Sequence, residues 1–222
     1  MAGRGTMDLL LSREIPLAPL VTTFRAHPAL NQLPNMLVYE GALVYGTPAH
    51  ARSRLTRRLL LPNPRVPFVF VDVWGTSRTS HTRSHFNDDK AQCCEDIILG
   101  LFSRDIPAAA IGVITFYKEQ CSRLREFTNK HGVALHTVDS VQGREMDVAI
   151  VLTTRTDVDA ATGDFLNEIK RIHVAIIRCK HGQFVLDSVR ASRTLHHWNL
   201  ILQWAQSHDV VIEPAALPDI FA

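Results

Sequence analysis

The chain is poor in the features that mark membrane, secreted or metal-binding proteins. No window reaches about eighteen consecutive apolar residues, the length a membrane-spanning helix needs. The apolar run nearest the N-terminus, Leu9-Leu10-Leu11, is too short for a secretory signal and has Asp8 beside it. An intracellular protein, cytoplasmic or nuclear, with no membrane partner is therefore expected. Cysteine is scarce. Cys93, Cys94, Cys121 and Cys179 include no C-x-x-C pair, and two of them are adjacent, which argues against a disulfide framework. The cysteine and histidine spacings match no zinc-ligand set, so no metal site is expected and His196-His197 reads as a surface pair. Internal repeats, low-complexity tracts and linkers are missing, which leaves a single domain as the expectation.

What is present is ordinary for a globular α/β protein. Hydrophobic residues make up 46% and charged residues 21% of 222. Phe68 to Val73 is a β-branched and aromatic run that predicts a buried strand. Pro19 to Phe24, Ile111 to Thr115, Ala134 to Val138, Val148 to Thr153 and Phe184 to Leu186 read as further strands. Between them lie helical patterns. One begins after His27 with Pro28 in its first turn, and Pro34 is expected to interrupt or end it. Asn87 caps another that runs to about Phe102, with Asp88 and Asp89 in its first turn. Tyr117 to His131 is a third, with Cys121, Leu124 and Phe127 on one face and Gly132 ending it. Leu166 to Cys179 and Arg193 to Ser207 complete the series, the last turning Leu195, Trp198, Leu202 and Ala205 inward. Gly41 to Pro67 reads mostly as loop. Alternating strands and helices predict a mostly parallel sheet with helices on both faces.

Net charge is only +2, but its distribution is uneven. Gly41 to Phe86 holds seven arginines (Arg52, Arg54, Arg57, Arg58, Arg65, Arg78 and Arg83) and a single acid, Asp72. Such a segment suits a phosphate backbone, and equally a solvated positive surface. Parallel α/β sheets bind ligands at the carboxyl ends of their strands. Residues following the strands are therefore site candidates: Phe24 and Arg25; Thr115, Phe116 and Tyr117; and Asp139 to Glu145, including Gly143. Arg178 and Lys180 stand at the end of the Leu166 helix. An edge of hydroxyls, a glycine, a glutamate and several cations suits a polyphosphate, a nucleic-acid backbone, or both.

Order and spelling together carry more. The segment Thr137-Val-Asp-Ser-Val-Gln-Gly-Arg-Glu145, followed by an apolar strand, resembles motif V of the superfamily 1 helicases in the branch of the nonsense-mediated-decay RNA helicase. Phe165 to Gly182 resembles motif VI of that family. Phe24-Arg-Ala-His-Pro28 resembles its Q-Y-R-M-H-P motif, Tyr39-Glu-Gly-Ala-Leu43 the segment that follows it, and Ile111 to Tyr117 its I-G-I-I-T-P-Y motif. The resemblance implies the second RecA-like domain of such a helicase over residues 20–212, an inter-domain remnant at 1–19 and a C-terminal tail at 213–222. It implies Arg25 and Arg178 as the two arginines facing a nucleotide γ-phosphate. Phe24, Gly143 and Glu145 would contact ATP, and Thr115 and Thr137 would contact single-stranded RNA or DNA. Arg57 and Arg58 are expected to add phosphate affinity. RNA is favoured by the spelling T-V-D-S-x-Q-G-R-E.

The sequence also departs from the family. Thr23, Ala26 and Phe116 stand where the family has Gln, Met and Pro. His173, Ile177 and Lys180 stand where it has Asn, Thr and a second arginine, and lysine keeps the charge but loses the bidentate fork. No G-x-x-x-x-G-K-[ST] phosphate loop occurs. The expectation is half of a motor, with a phosphate-loop RecA-like domain in cis or trans supplying the phosphate cradle and the Mg²⁺ ligands. By itself the chain is expected to hydrolyse ATP poorly. The alternatives are a non-catalytic nucleic-acid-binding or adaptor domain, and a doubly wound domain for another ligand.

Overall fold

A computed structural model describes residues 20–159 and 161–222. The expected inter-domain remnant at 1–19, with Leu9-Leu10-Leu11, lies outside the described residues. In chain order the elements begin with β1 (Thr22–Thr23), α1 (Pro28–Leu37), β2 (Val44–Tyr45), α2 (Arg54–Arg58) and β3 (Phe68–Asp72). Then come β4 (Arg78–Thr79), β5 (His85–Phe86), α3 (Asp88–Ser103), β6 (Ile111–Thr115), α4 (Lys118–His131) and β7 (Ala134–Thr137). The remainder is β8 (Met146–Leu152), α5 (Ile169–Ile176), β9 (Cys179–Asp187), α6 (Val189–Thr194), α7 (His196–Ser207), β10 (Val211–Ile212) and α8 (Leu217–Ile220). Six strands form one sheet in the order β10-β3-β9-β8-β6-β7, every neighbour parallel. This is the α/β, RecA-like architecture with helices on both faces.

Strand periodicity explains the two helical layers. Phe68 and Phe70 of β3 face the layer of α1, α5 and α7, while Val69 and Val71 face the layer of α3 and α4. In β8, Ala149 and Val151 take the first side and Val148, Ile150 and Leu152 the second. Strands buried on both faces read as continuous apolar runs, which is why these segments are legible in the sequence. Local signals place the helix ends. The Asn87 side chain accepts from Lys90 N at 3.0 Å and caps α3. Gly132 closes α4 in the left-handed conformation, φ +70°.

Several expectations need correction. Pro34 lies inside α1 and the helix continues to Leu37. Proline forfeits only its own N–H bond there, and its carbonyl still accepts from Val38 N at 2.9 Å. The Leu166–Cys179 helix is shorter, Ile169–Ile176, because Leu166 and Asn167 serve the neighbouring helix instead. The Leu166 carbonyl accepts from Trp198 Nε1 at 2.9 Å, and Asn167 Oδ1 accepts from His197 N at 3.0 Å. The closing helix is two helices, α6 and α7, separated at Leu195, which is extended at φ −112°. Residues 213–222 are no loose tail. Leu217 and Ile220 are buried in the α3-side core, and Phe221 packs so closely on Gly100 that a Cβ there would come within 2.4 Å of its ring. Among the described residues no helix is long and apolar enough to cross a membrane.

Candidate functional site

The structure divides the expected site residues between opposite edges of the sheet. Glu145 immediately precedes β8 and Arg178 immediately precedes β9, so both sit at the amino ends of the strands. Thr115 and Thr137 end β6 and β7 and sit at the carboxyl ends. The single carboxyl edge expected from sequence is therefore corrected. The motif V-like loop 138–145 runs from one edge to the other, which places Glu145 away from Thr137.

At the amino edge Arg25 and Arg178 converge. Arg25 donates from Nη1 to the Ile177 carbonyl at 3.0 Å and pairs through Nε with Glu145 at 3.2 Å. Arg178, only 6% exposed, donates from Nε to the Val174 carbonyl at 2.9 Å and from Nη1 to the Arg144 carbonyl at 3.2 Å. Among the described residues neither Nη2 has a partner. Burial, and after it the charge of Arg25, lower the pKa of the Arg178 guanidinium. Two like charges held side by side favour an anion between them. Glu145 accepts from Lys180 Nζ at 2.8 Å as well as from Arg25. The Lys180 hydrogen bond foremost holds the Glu145 carboxyl below its usual 4.5, partial burial opposing and the two cationic charges assisting. Gly143 adopts φ +80° with nothing within 4 Å of a Cβ position, so the turn itself requires glycine and the space beside it is open.

Phe24 stands beside this pair, 65% exposed. Its ring lies on the backbone of Gly46, where a Cβ would come within 2.3 Å of it. Arg52 fixes the segment, donating from Nε to the Arg25 carbonyl at 2.6 Å and from Nη2 to the Phe24 carbonyl at 3.2 Å. A cavity of about 320 Å³ opens here, lined by Thr23, Phe24, Arg25, Asn31, Tyr39 and Ile177. The open ring of Phe24 and the Arg25 guanidinium line this cavity, with the more buried Arg178 next to Arg25, a grouping that suits the base and phosphates of a nucleotide. Mg²⁺ finds no such fit. Among the described residues no three of His, Cys, Asp or Glu converge; His81 and His85 do stand at an H-x-x-x-H spacing, which corrects the expectation that no histidine pair has ligand spacing, but they belong to the β4–β5 hairpin and have no third ligand.

Three histidines lie near this edge: His173 faces Arg178, His27 follows Arg25 by two residues and faces His181, and His181 accepts from Arg54 N at 3.3 Å. His27 caps α1 by accepting from Ala29 N at 3.2 Å, which requires a bare Nδ1. Burial first, then His181, lowers its pKa from 6.5; burial and Arg178 do the same to His173; burial also lowers His181. Depressed folded-state values mean that the unfolded chain takes up protons first as pH falls through 6.5, so stability declines on acidification until the folded values are reached. Replacing His27 by asparagine keeps a capping acceptor and removes one of these titrations. His27→Asn should flatten the fall in urea midpoint between about pH 7 and 5.5; an unchanged fall would remove His27 from the account.

The carboxyl edge carries a second cleft of about 250 Å³, lined by Arg83, Lys118, Tyr117, Thr137, Asp139 and Phe165 among others. Thr137 hydrogen-bonds Ser140 Oγ at 3.1 Å and remains partly accessible. Thr115 does not reach this surface: it is fully buried and donates to the Tyr117 carbonyl at 3.2 Å. That corrects its expected contact with nucleic acid: helices cover both faces of β6 and all five of its residues, Thr115 included, are buried. Arg57 and Arg58 are also displaced. They sit on α2, where Arg58 bonds the Arg104 and Asp105 carbonyls before β6, at the amino edge. Much of the arginine segment is internally engaged: Arg54 with Asp147 at 2.7 Å, Arg58 with Asp105 at 3.6 Å, and Arg78 with Asp88.

Comparison with known proteins gives the family. The family described as AAA domain matches residues 4–190. An ATP-dependent helicase of Caenorhabditis elegans is 31% identical over 204 residues, covering 89% of this chain and 13% of the relative. The ATP-dependent helicase NAM7 of Saccharomyces cerevisiae is 30% identical, covering 90% and 22%. The regulator of nonsense transcripts 1 homolog of Drosophila melanogaster is 29% identical, covering 87% and 17%. The chain belongs to the AAA domain family, as the C-terminal domain of a superfamily 1 helicase of the nonsense-mediated-decay type. It spans roughly an eighth to a fifth of the length of these relatives.

Proposed function

We propose that this domain is the arginine-bearing half of an ATP-dependent nucleic-acid motor. Its amino edge faces a nucleotide held by a phosphate-loop RecA-like domain, in cis or in trans. Its carboxyl edge tracks single-stranded nucleic acid through the cleft at Thr137. The observation that carries this is the convergence of Arg25 and Arg178, like charges with free Nη2 ends, beside the open face of Phe24. Phosphoryl transfer develops charge on phosphate oxygens, and planar guanidinium groups stabilise it. Phe24 would stack the base, Gly143 leaves room, and Glu145 releases Arg25 to the phosphates while retaining Lys180. The partner domain would supply the Mg²⁺ ligands. Relatives named as regulators of nonsense transcripts favour RNA. Joining the chain to a phosphate-loop domain of a related helicase should produce ATPase activity stimulated by single-stranded RNA; no gain over the phosphate-loop domain alone would refute the reading.

A second reading, an adaptor that binds nucleic acid without turnover, is favoured by one feature. Glu145 already pairs with both Arg25 and Lys180, so a nucleotide that takes up Arg25 must displace it. Both readings place nucleic acid at the carboxyl edge, and salt reports on it. Each phosphate contact contributes about −0.7 to the slope of log affinity against log salt for single strands. Replacing both Arg83 and Lys118 by alanine should flatten the slope by about 1.4. Reversing Arg57 and Arg58 to glutamate should leave it nearly unaltered, because they lie at the opposite edge. The reverse pattern in a titration with labelled oligo(rU) would move the channel to α2.

A further inference from the structure

The carboxyl edge does not end at the Thr137 cleft. Across the sheet, beyond the ends of β3 and β9, lies a larger cavity of about 430 Å³ lined by Asp72, Trp74, Thr156, Ser188, Arg190 and Arg193. Trp74 is 72% exposed and makes no aromatic or cation–π contact among the described residues. Trp198 and Trp204 are buried, so an open indole at this edge is a departure that core packing does not explain. Arg190 and Arg193 are exposed and form no ion pair among the described residues, unlike Arg54, Arg58 and Arg78. On its far side Trp74 borders an acidic depression with Asp89 and Asp96. The indole therefore stands between a cavity with two arginines and one acid, Asp72, whose Oδ1 accepts from Val189 N at 2.8 Å, and a depression whose charged residues, Asp89 and Asp96, are both acidic.

The chain between the two clefts is itself unusual. Thr154, just past β8 and between them in sheet order, has φ +74° although β-branched, and its buried hydroxyl has no hydrogen-bond partner. Such strain costs on the order of 1–3 kcal/mol and concentrates at ligand-bearing segments. Two residues on, Thr156 bonds the Gly75 carbonyl at 3.0 Å and accepts from Ser77 N at 3.1 Å, tying the β8 end to the loop that carries Trp74.

We propose that Trp74, Arg190 and Arg193 form a nucleotide subsite for single-stranded nucleic acid, the base stacking on the indole and its phosphate lying toward the two guanidinium groups. The proposal rests on reading the Thr137 cleft as a nucleic-acid channel, which this subsite extends along the same edge past Thr154. The charge asymmetry across Trp74 sets the orientation: the phosphate faces Arg190 and Arg193, away from Asp89 and Asp96. Stacking is indifferent to base identity, as a tracking motor requires.

The test uses the intact chain with short oligo(rU) and oligo(dT), reading tryptophan emission and, separately, the anisotropy of labelled oligonucleotide. Because Trp198 and Trp204 are buried, the accessible emission belongs to Trp74. Quenching on binding is expected, with either sugar. Trp74→Ala should weaken affinity roughly 5- to 150-fold and Trp74→Phe much less, since phenylalanine keeps a stacking face. The double change Arg190→Ala, Arg193→Ala should flatten the salt slope by about 1.4. Binding that leaves the emission unchanged and is indifferent to Trp74→Ala would overturn the subsite while leaving the Thr137 channel standing. No binding by the unaltered chain would overturn both.

Discussion

With Arg178 replaced by alanine, the chain joined to a phosphate-loop RecA-like domain should hydrolyse ATP about 10³- to 10⁵-fold more slowly than its parent. The expectation follows from what Arg178 is free to do. Two of its donors are committed to the Val174 and Arg144 carbonyls, which fix the guanidinium plane, and Nη2 is left over. A group held in place before the reaction costs no reorganisation when charge develops on the phosphate. Truncation also uncovers two carbonyls. Arg144 is exposed and rehydrates, so the loss of stability should be small, about 1 kcal/mol. Arg178→Lys keeps the charge and loses the fork, and should recover little of the rate. Turnover that survives the alanine change, in a protein whose unfolding midpoint is nearly normal, would remove Arg178 from the nucleotide face.

A comparably large effect, on stability instead of rate, is expected at Lys90. Its ammonium is fully buried and contacts Asp187 Oδ1 at 3.1 Å and Thr153 Oγ1 at 2.9 Å. The Asp187 carboxylate also accepts from the Thr153 and Ser192 hydroxyls. Burial lowers the lysine pKa and the Asp187 charge opposes that shift, so each member makes the other tolerable. Lys90→Met leaves a buried carboxylate without its counter-charge and should cost about 3–5 kcal/mol, read as a fall in urea midpoint. Adding Asp187→Asn removes the stranded charge and should restore a large part of the loss. Additive losses in the two single variants and their combination would show that the pair is not coupled.

Lys90 also shows where the sequence stops being informative. At the third position of a capped helix it reads as a solvated cation, and its partner lies 97 residues away. Only the sheet order, which sets the end of β9 beneath α3, brings them together. The strands β3, β6 and β8 are legible because burial on both faces leaves uninterrupted apolar runs, and Asn87 and Gly132 because caps are local chemistry. β10 is two residues long and has no period to detect. The site was legible by spelling more than by physics. Arg25, Glu145 and Arg178 lie together at the amino edge, whereas the rule for parallel sheets pointed to the carboxyl edge for them. Thr115 was misplaced because β6 is covered on both faces, so that even its last residue is core. Trp74, Arg190 and Arg193 follow strands too, but nothing in their spacing sets them apart from surface residues until β3 and β9 are neighbours.

All four cysteines are buried, and that gives the molecule a built-in clock. Burial pushes the Cys93 and Cys179 thiols up to about 12, raises Cys94 well above the usual value, and raises Cys121 less steeply. A thiol reagent at neutral pH therefore meets almost no thiolate, and at Cys94 and Cys179 no exposed surface, so labelling of those two waits on excursions that open the structure. Cys93 and Cys94 lie on α3, whereas Cys179 directly follows Arg178. The labelling rates of Cys94 and Cys179, the two fully buried thiols, time the loosening of the α3 layer and of the start of β9 separately, without a single substitution.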